Sequence, residues 1–516
     1  MNVRSLTAPD TTALPALEWR AVSVVAVLAG ALFLARIDRY LLGGDELYFL
    51  AAGRHLSVSY ADQGPLVPLL AALSDQLAPG SVVALRVPAL LCTLAAVVLS
   101  AVMAREFGGG RRAQTIAALA YATTPMAVMQ SAMLSTFAVD ITLTAVIAWL
   151  LIRWIRTRDD YLLVAAGFVA AVDFQVKWLI PIIWAVLALG VALFGPREML
   201  RRPAWWLGSG LLVGSAVPIL WWQHAHGWPQ LAMGAVVRDE QLATASVLAA
   251  PWTMIQVTGA GGLLLLVGMW AGLCAERFRP YYFLIPMIVI GAGGVVLAGL
   301  RPYFVAGAFP GLFAAGAVYL VDRGIGRRTA VVGSSVAALA TAICVGLVVV
   351  LPLPASQLRQ PTDDYSQIHS RSVLFGPAGW DDLVTAVTES YDRVPSAQRD
   401  DLVLVTQNYW QAAALDHFAS DLPTAYSPNR GYSYFGVPPD DATTVLYVGV
   451  DSPSTALRTP FTETTLLATL DDPLGFPGVN RGVSVWLCGG PERPWSALWP
   501  DARSLRLVDG TSRNGQ

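Results

Sequence analysis

The chain has 516 residues, of which 55% are hydrophobic and only 14% charged, with a formal net charge of −2. A soluble globular protein carries about 25% charged residues, so a single water-soluble fold is excluded and lipid is the solvent that explains the deficit. The near-zero balance gives no basic footprint for nucleic acid, and it averages two unlike parts: residues 1–352 are poor in carboxylates, whereas 353–516 are dense in Asp, Pro and Gly.

In chain order, apolar stretches long enough to cross about 30 Å of hydrocarbon at about 1.5 Å per residue occur near 17–36, 82–104, 113–132, 135–155, 160–178, 179–194, 204–223, 252–273, 280–299, 302–321 and 329–352. This predicts about eleven transmembrane helices. The first stretch lacks a small-residue cleavage site and reads as an uncleaved span. Segment 64–78 is apolar but too short to cross. Within 160–194, Lys177 and Pro181 interrupt a run that reads either as one broken helix or as two short ones.

Short cytoplasmic loops collect basic residues, and here sixteen arginines fall in alternate loops against seven basic residues on the other side. The N-terminus is therefore expected inside. With an odd number of spans, the loops 37–81, 173–180, 222–252 and 300–302 and the whole of 353–516 are expected outside. That last region reads as a small α/β domain, with strands at 402–406, 443–450 and 483–487 and helices at 380–393 and 409–419. Domain boundaries are accordingly expected at 1–352 and 353–516.

Ionisable groups at membrane depth or at its surface are costly and mark function. DRYLLGGDELYFLAAGRHL (38–56) sets Asp45 beside Glu46 behind two glycines. Asp45 is a good N-cap for an amphipathic interfacial helix, and equally a base or metal ligand. YADQGPLVPLL adds Asp62. Asp140 lies inside an apolar run and requires a partner. Asp173 and Lys177, the sole lysine, are one helical turn apart, which fits a local ion pair as well as a ligand contact. Arg301 opens RPYFVAGAFPGLFAAGA at the outer surface, with Tyr303 beside it. His224 and His226, spaced i,i+2, do not share a helix face and read as part of an aromatic belt. The four cysteines are scattered singly, with no C-x-x-C ligand spacing. Carboxylates suit an acceptor hydroxyl or a divalent metal, and Lys and Arg suit a phosphate.

Gly44-Asp45-Glu46, then Tyr60-x-Asp62-Gln63-Gly64-Pro65-Leu66, ALRVPALL (84–91), the Lys177 span, QHAHGWPQL (223–231) and RPYFVAGAFPGLFAAGA (301–317) together resemble one family. It is that of the GT-C membrane glycosyltransferases of the dolichyl-phosphate-mannose protein mannosyltransferase and aminoarabinose transferase type. The likeness runs through residues 20–325.

The resemblance implies an all-α, GT-C-like polytopic domain followed by the extracytoplasmic α/β domain. It also implies transfer of a sugar from a polyprenyl-phosphate donor to a lipid, glycan or protein acceptor, with inversion. Asp45, Glu46 and Asp62 resemble the catalytic acids, and Lys177, Arg301 and Tyr303 the donor phosphate contacts. A divalent metal is open, and no other cofactor is implied. Several relatives carry a basic residue where Gln63 stands, and this departure leaves a phosphate contact from that loop open. Acceptor recognition is the expected role of the α/β domain. The competing class is a transporter or flippase of lipid-linked sugars. Many transporters show repeated halves with paired broken helices, and this sequence has no internal repeat.

Overall fold

The computed structural model describes residues 14–244, 250–298, 302–324 and 327–508. The chain forms two compact units, and each collects discontinuous segments. One comprises residues 1–37, 86–220 and 246–350; the other comprises 38–85, 221–245 and 351–516.

The first unit is helical. Val82–Glu106, Thr136–Thr157, Pro203–Ala225, Val305–Asp322 and Val331–Val350 are long and apolar enough to cross a bilayer, and Gly261–Cys274 with Glu276–Gly291 form a pair bent by 101°. Several expected spans are not single helices. The stretch near 113–132 divides into Arg111–Ala122 and Pro125–Gln130. There the Thr124 hydroxyl caps the Ala127 N–H, and proline fits a first helical turn. The stretch near 252–273 breaks at Gly259, whose φ is 55°. The ambiguous run 160–194 resolves into Tyr161–Phe174 and Ile180–Phe194, with Pro181 opening the second and Lys177 in the turn between.

Packing inside this unit depends on small residues, as expected where lipid removes most of the hydrophobic drive between helices. Gly268 and Gly316 let Gly261–Cys274 and Phe309–Asp322 touch backbone to backbone. A Cβ on Gly268 would lie 2.0 Å from the Leu312 carbonyl oxygen, and one on Gly316 would lie 2.4 Å from that of Leu264. By contrast Val331, Val332, Leu339 and Val349 are exposed, which is the lipid-facing pattern of a peripheral span. One buried carboxylate gathers several of the arginines that set the loop count. Glu106 takes a two-pronged contact from Arg156, at 3.0 and 3.3 Å, and lies 3.8 Å from both Arg105 and Arg153.

The second unit contains a five-stranded sheet: β1 Leu402–Thr406, β2 Ala425–Tyr426, β3 Thr444–Gly449, β4 Thr464–Leu470 and β5 Val483–Gly489. Its order is β2-β1-β3-β5-β4, parallel among the first three and antiparallel thereafter. Every residue of β1 and β3 is buried, so LVLVT and TVLYVG read as unbroken apolar runs, as central parallel strands do. Trp495 and Trp499, on helix Trp495–Ala502, close one face over Val403, Val405 and Tyr447. Against this domain fold two helices from the other end of the sequence, Gly44–Arg54 and Leu66–Leu77. Gly44–Arg54 is not an amphipathic surface helix: all seven residues from Glu46 to Ala52 are buried.

Candidate active site

Helix Gly44–Arg54 fixes the two adjacent acids in different ways. The expected N-cap role of Asp45 is not what forms. Gly43 is the cap, in extended conformation (φ −75°, ψ 158°), and Glu46 at the third helical position turns back to accept the Gly43 N–H at 3.1 Å. This is the reciprocal half of a capping box, and it buries Glu46 in a helix-terminating role. Asp45, one residue earlier in the first turn, is exposed and points its carboxylate outward from the helix. Negative charge there is also favoured by the helix dipole.

One Asp45 oxygen, Oδ1, accepts two hydrogen bonds, from the Tyr409 hydroxyl at 2.7 Å and from the Trp410 indole N–H at 3.1 Å. Tyr409 and Trp410 open helix Tyr409–Phe418, which follows β1 and begins with its own capping box between Asn408 and Gln411. The indole lies flat on Gly44, where a Cβ would meet Trp410 Cδ1 at 2.4 Å. Only glycine permits that approach. Oδ2 of Asp45 carries no hydrogen bond among the described residues.

Asp62 stands nearby on the loop before Leu66–Leu77, half-buried, and accepts from the buried Tyr48 hydroxyl at 3.0 Å. The Tyr48 ring meets Tyr409 edge-on, with centroids 5.2 Å apart, so the two acids are joined through a pair of phenols. Burial pushes the Asp62 carboxyl up to about 6; the Tyr48 hydrogen bond and the Arg430 charge hold it down, and the charge of Asp45 pushes it further up. Tyr48 and Tyr409 are themselves held well above the usual phenol range, by burial first and then by these carboxylates.

Arg430 is the cation of the cluster. It donates to the Tyr409 oxygen at 3.3 Å, lies over the Tyr409 ring at 5.3 Å and pairs with Glu240. Its Nε–H donates to the Leu505 carbonyl at 3.0 Å. Burial works against its charge, but the surrounding anionic groups outweigh it and raise the guanidinium above its ordinary value. The loop carrying Asp62 is pinned from behind by buried Gln223, whose amide donates to the Tyr60 carbonyl at 2.8 Å and to Ser59 Oγ at 3.2 Å. His226, two residues beyond the adjacent His224, stacks on Trp222 at 3.9 Å.

Of the expected site residues, Asp45, Glu46 and Asp62 thus come together in the second unit. Lys177 belongs to the first. It follows the helix that ends at Phe174, so it shares no helical turn with Asp173. Instead its ammonium sits 3.7 Å over the Phe137 ring, in electrostatic contact with both Asp140 and Asp173. Tyr303 falls in the short 3-10 helix Pro302–Ala308, and Arg301 lies outside the described residues. No group of three His, Cys, Asp or Glu side chains placed to hold a metal occurs among the described residues. The residues sequence reasoning missed are Tyr48, Tyr409, Trp410, Glu240 and Arg430. The available signal was the aromatic pair opening the expected helix 409–419.

Two comparisons agree with this architecture. Residues 62–222 match the family model described as dolichyl-phosphate-mannose-protein mannosyltransferase. Among solved structures, ArnT from Cupriavidus metallidurans bound to undecaprenyl phosphate is similar at a TM-score of 0.62 and 14% identity, covering 91% of this chain and 98% of that one. The same protein in the apo state gives 0.58, with 14% identity and coverage of 90% and 97%. No curated protein sequence matches the chain. The resemblance expected over residues 20–325 is met by the family model over residues 62–222 and by a fold similar to that of ArnT.

Proposed function

We propose that this GT-C-fold chain is a membrane glycosyltransferase that moves a sugar from a polyprenyl-phosphate donor to a lipid, glycan or protein acceptor on the extracytoplasmic face. The observation that carries the reading is the pairing of Asp45 and Asp62 through Tyr48 and Tyr409 beside Arg430. The ArnT structure with bound undecaprenyl phosphate supports the class of donor. The arginine distribution supports a cytoplasmic N-terminus and an extracytoplasmic α/β domain.

The chemistry is a single displacement with inversion. An acceptor oxygen attacks the anomeric carbon, the C–O bond to phosphate breaks, and the acceptor proton passes to a carboxylate. Asp62, near the operating pH, suits the base. Asp45, held by two neutral donors and open at its second oxygen, suits orientation of the acceptor or shares the proton. Glu46 supports both by fixing the helix start. Lys177, Arg301 and Tyr303 are the proposed contacts for the leaving phosphate, with Asp140 and Asp173 setting the position of Lys177.

Purified protein given a panel of radiolabelled polyprenyl-phosphate sugars with membrane extract should transfer label, and Asp45→Asn and Asp62→Asn should each abolish most of it. Equal transfer by wild type and both variants would remove the two acids from the mechanism. Movement of labelled lipid across liposomes with no donor turnover would instead establish a transporter.

A further inference from the structure

The α/β domain is expected to recognise acceptor; its contacts with the first-loop helix give it a second role. We propose that Tyr409 is a positioning residue for the Asp45 carboxylate, polarised by Arg430, so that the α/β domain forms part of the catalytic apparatus; this rests on the glycosyltransferase reading above. In open sheets the ligand-binding edge lies beyond the carboxyl ends of the parallel strands. Here β1 ends at Thr406, helix Tyr409–Phe418 begins three residues later, and the group held at its opening is a carboxylate of the chain itself.

The geometry suits positioning better than scaffold packing. Both donors converge on a single oxygen, leaving Oδ2 free, which fixes the rotation of the carboxylate while keeping one oxygen for substrate. The Tyr409 ring is buried, so its hydroxyl comes from a fixed direction. Arg430 donates to the same hydroxyl oxygen and draws charge from it, making the O–H a stronger donor. Arg430 in turn is immobilised by Glu240 and by the Leu505 carbonyl.

Tyr409→Phe removes one hydroxyl and keeps the packed ring. The test is a cycle of wild type, Tyr409→Phe, Asp45→Glu and the double variant, assayed for transfer from labelled polyprenyl-phosphate sugar. Tyr409→Phe should lose about 10- to 100-fold in kcat with donor KM within about two-fold. In the Asp45→Glu background, where the carboxylate is already displaced, the same change should cost little more. Losses that multiply independently, or a Tyr409→Phe enzyme as fast as wild type, would overturn the positioning role alone. A wild type that transfers no sugar would overturn the glycosyltransferase reading and this role with it. Carbodiimide labelling of Asp45, read by peptide mass, gives a measure independent of turnover. Tyr409→Phe should speed labelling several-fold, and an unchanged rate counts against the contact.

Discussion

Replacing Tyr48 by Phe deletes a single hydroxyl that donates to Asp62 at 3.0 Å. A hydrogen bond to a charged group is worth about 1.5–3 kcal/mol, and about 1.4 kcal/mol corresponds to one pKa unit. Because Asp62 is half-buried rather than sealed, the lower figure applies. The hydrogen bond favours the ionised form, so losing it should move Asp62 from about 6 upward by about one unit. If ionised Asp62 is the base, the acid limb of kcat/KM moves with it. At pH 6 the reactive fraction falls from about a half to about a tenth, a roughly five-fold loss. At pH 8 both enzymes are almost fully ionised and differ little. The assay is the pH–rate profile of sugar transfer for the two proteins at subsaturating donor. A limb that stays in place, or moves to lower pH, would refute the assignment of Asp62 as base.

Asp62 should also limit stability. Its carboxyl, raised from 3.8 to about 6 by burial, binds more proton folded than unfolded between those values, so stability falls as pH rises through that window and stays reduced above it. Asp62→Asn should therefore be more stable than wild type at pH 7.5 by about 1–3 kcal/mol and unfold at a higher temperature, with the advantage disappearing near pH 4; an equal or lower Tm at pH 7.5 contradicts this. Gly44→Ala should force Trp410 off Asp45 and lower transfer by about ten-fold, and a fully active variant would show that the indole contact is dispensable. Glu106→Gln leaves Arg105, Arg153 and Arg156 without their shared carboxylate and should cost about 1–3 kcal/mol, discounted for the partial exposure of the arginines. Thermal unfolding in detergent measures that loss. A reporter fused after Asp364 should be extracytoplasmic and one after Arg328 cytoplasmic, and the reverse result would overturn the assignment of sides.

The apolar runs, the central strands β1 and β3, and helices Trp380–Asp392 and Tyr409–Phe418 were legible because local composition determines them. Strand β4 was not: TTLLATL lies largely exposed at the sheet edge, so burial imposed no alternation to read. Helix breaks at Thr124 and Gly259 were written as Thr-Thr-Pro and Thr-Gly-Ala-Gly-Gly, but hydropathy averaged over a span length hid them. Asp45 and Asp62 stood out as acids in an otherwise apolar chain. Which first-loop residue caps the helix was not legible, because Glu46 at the third position satisfies the Gly43 N–H and frees Asp45. Tyr409, Trp410 and Arg430 carry no local periodicity that could tie them to a loop hundreds of residues away.

That separation has a consequence for biogenesis. The Tyr409 to Asp45 bond spans 364 residues, and the unit that contains it collects three separate pieces of chain. At about 5–20 residues per second, roughly 20–70 s of synthesis elapse between the emergence of the two partners. Throughout that interval the first loop waits incomplete while the intervening helices are inserted. A ribosome stalled before residue 409 would leave a well-inserted protein with no organised centre. On the proposed reading, the nascent protein is thus silent until the segment carrying Tyr409 folds onto the first loop.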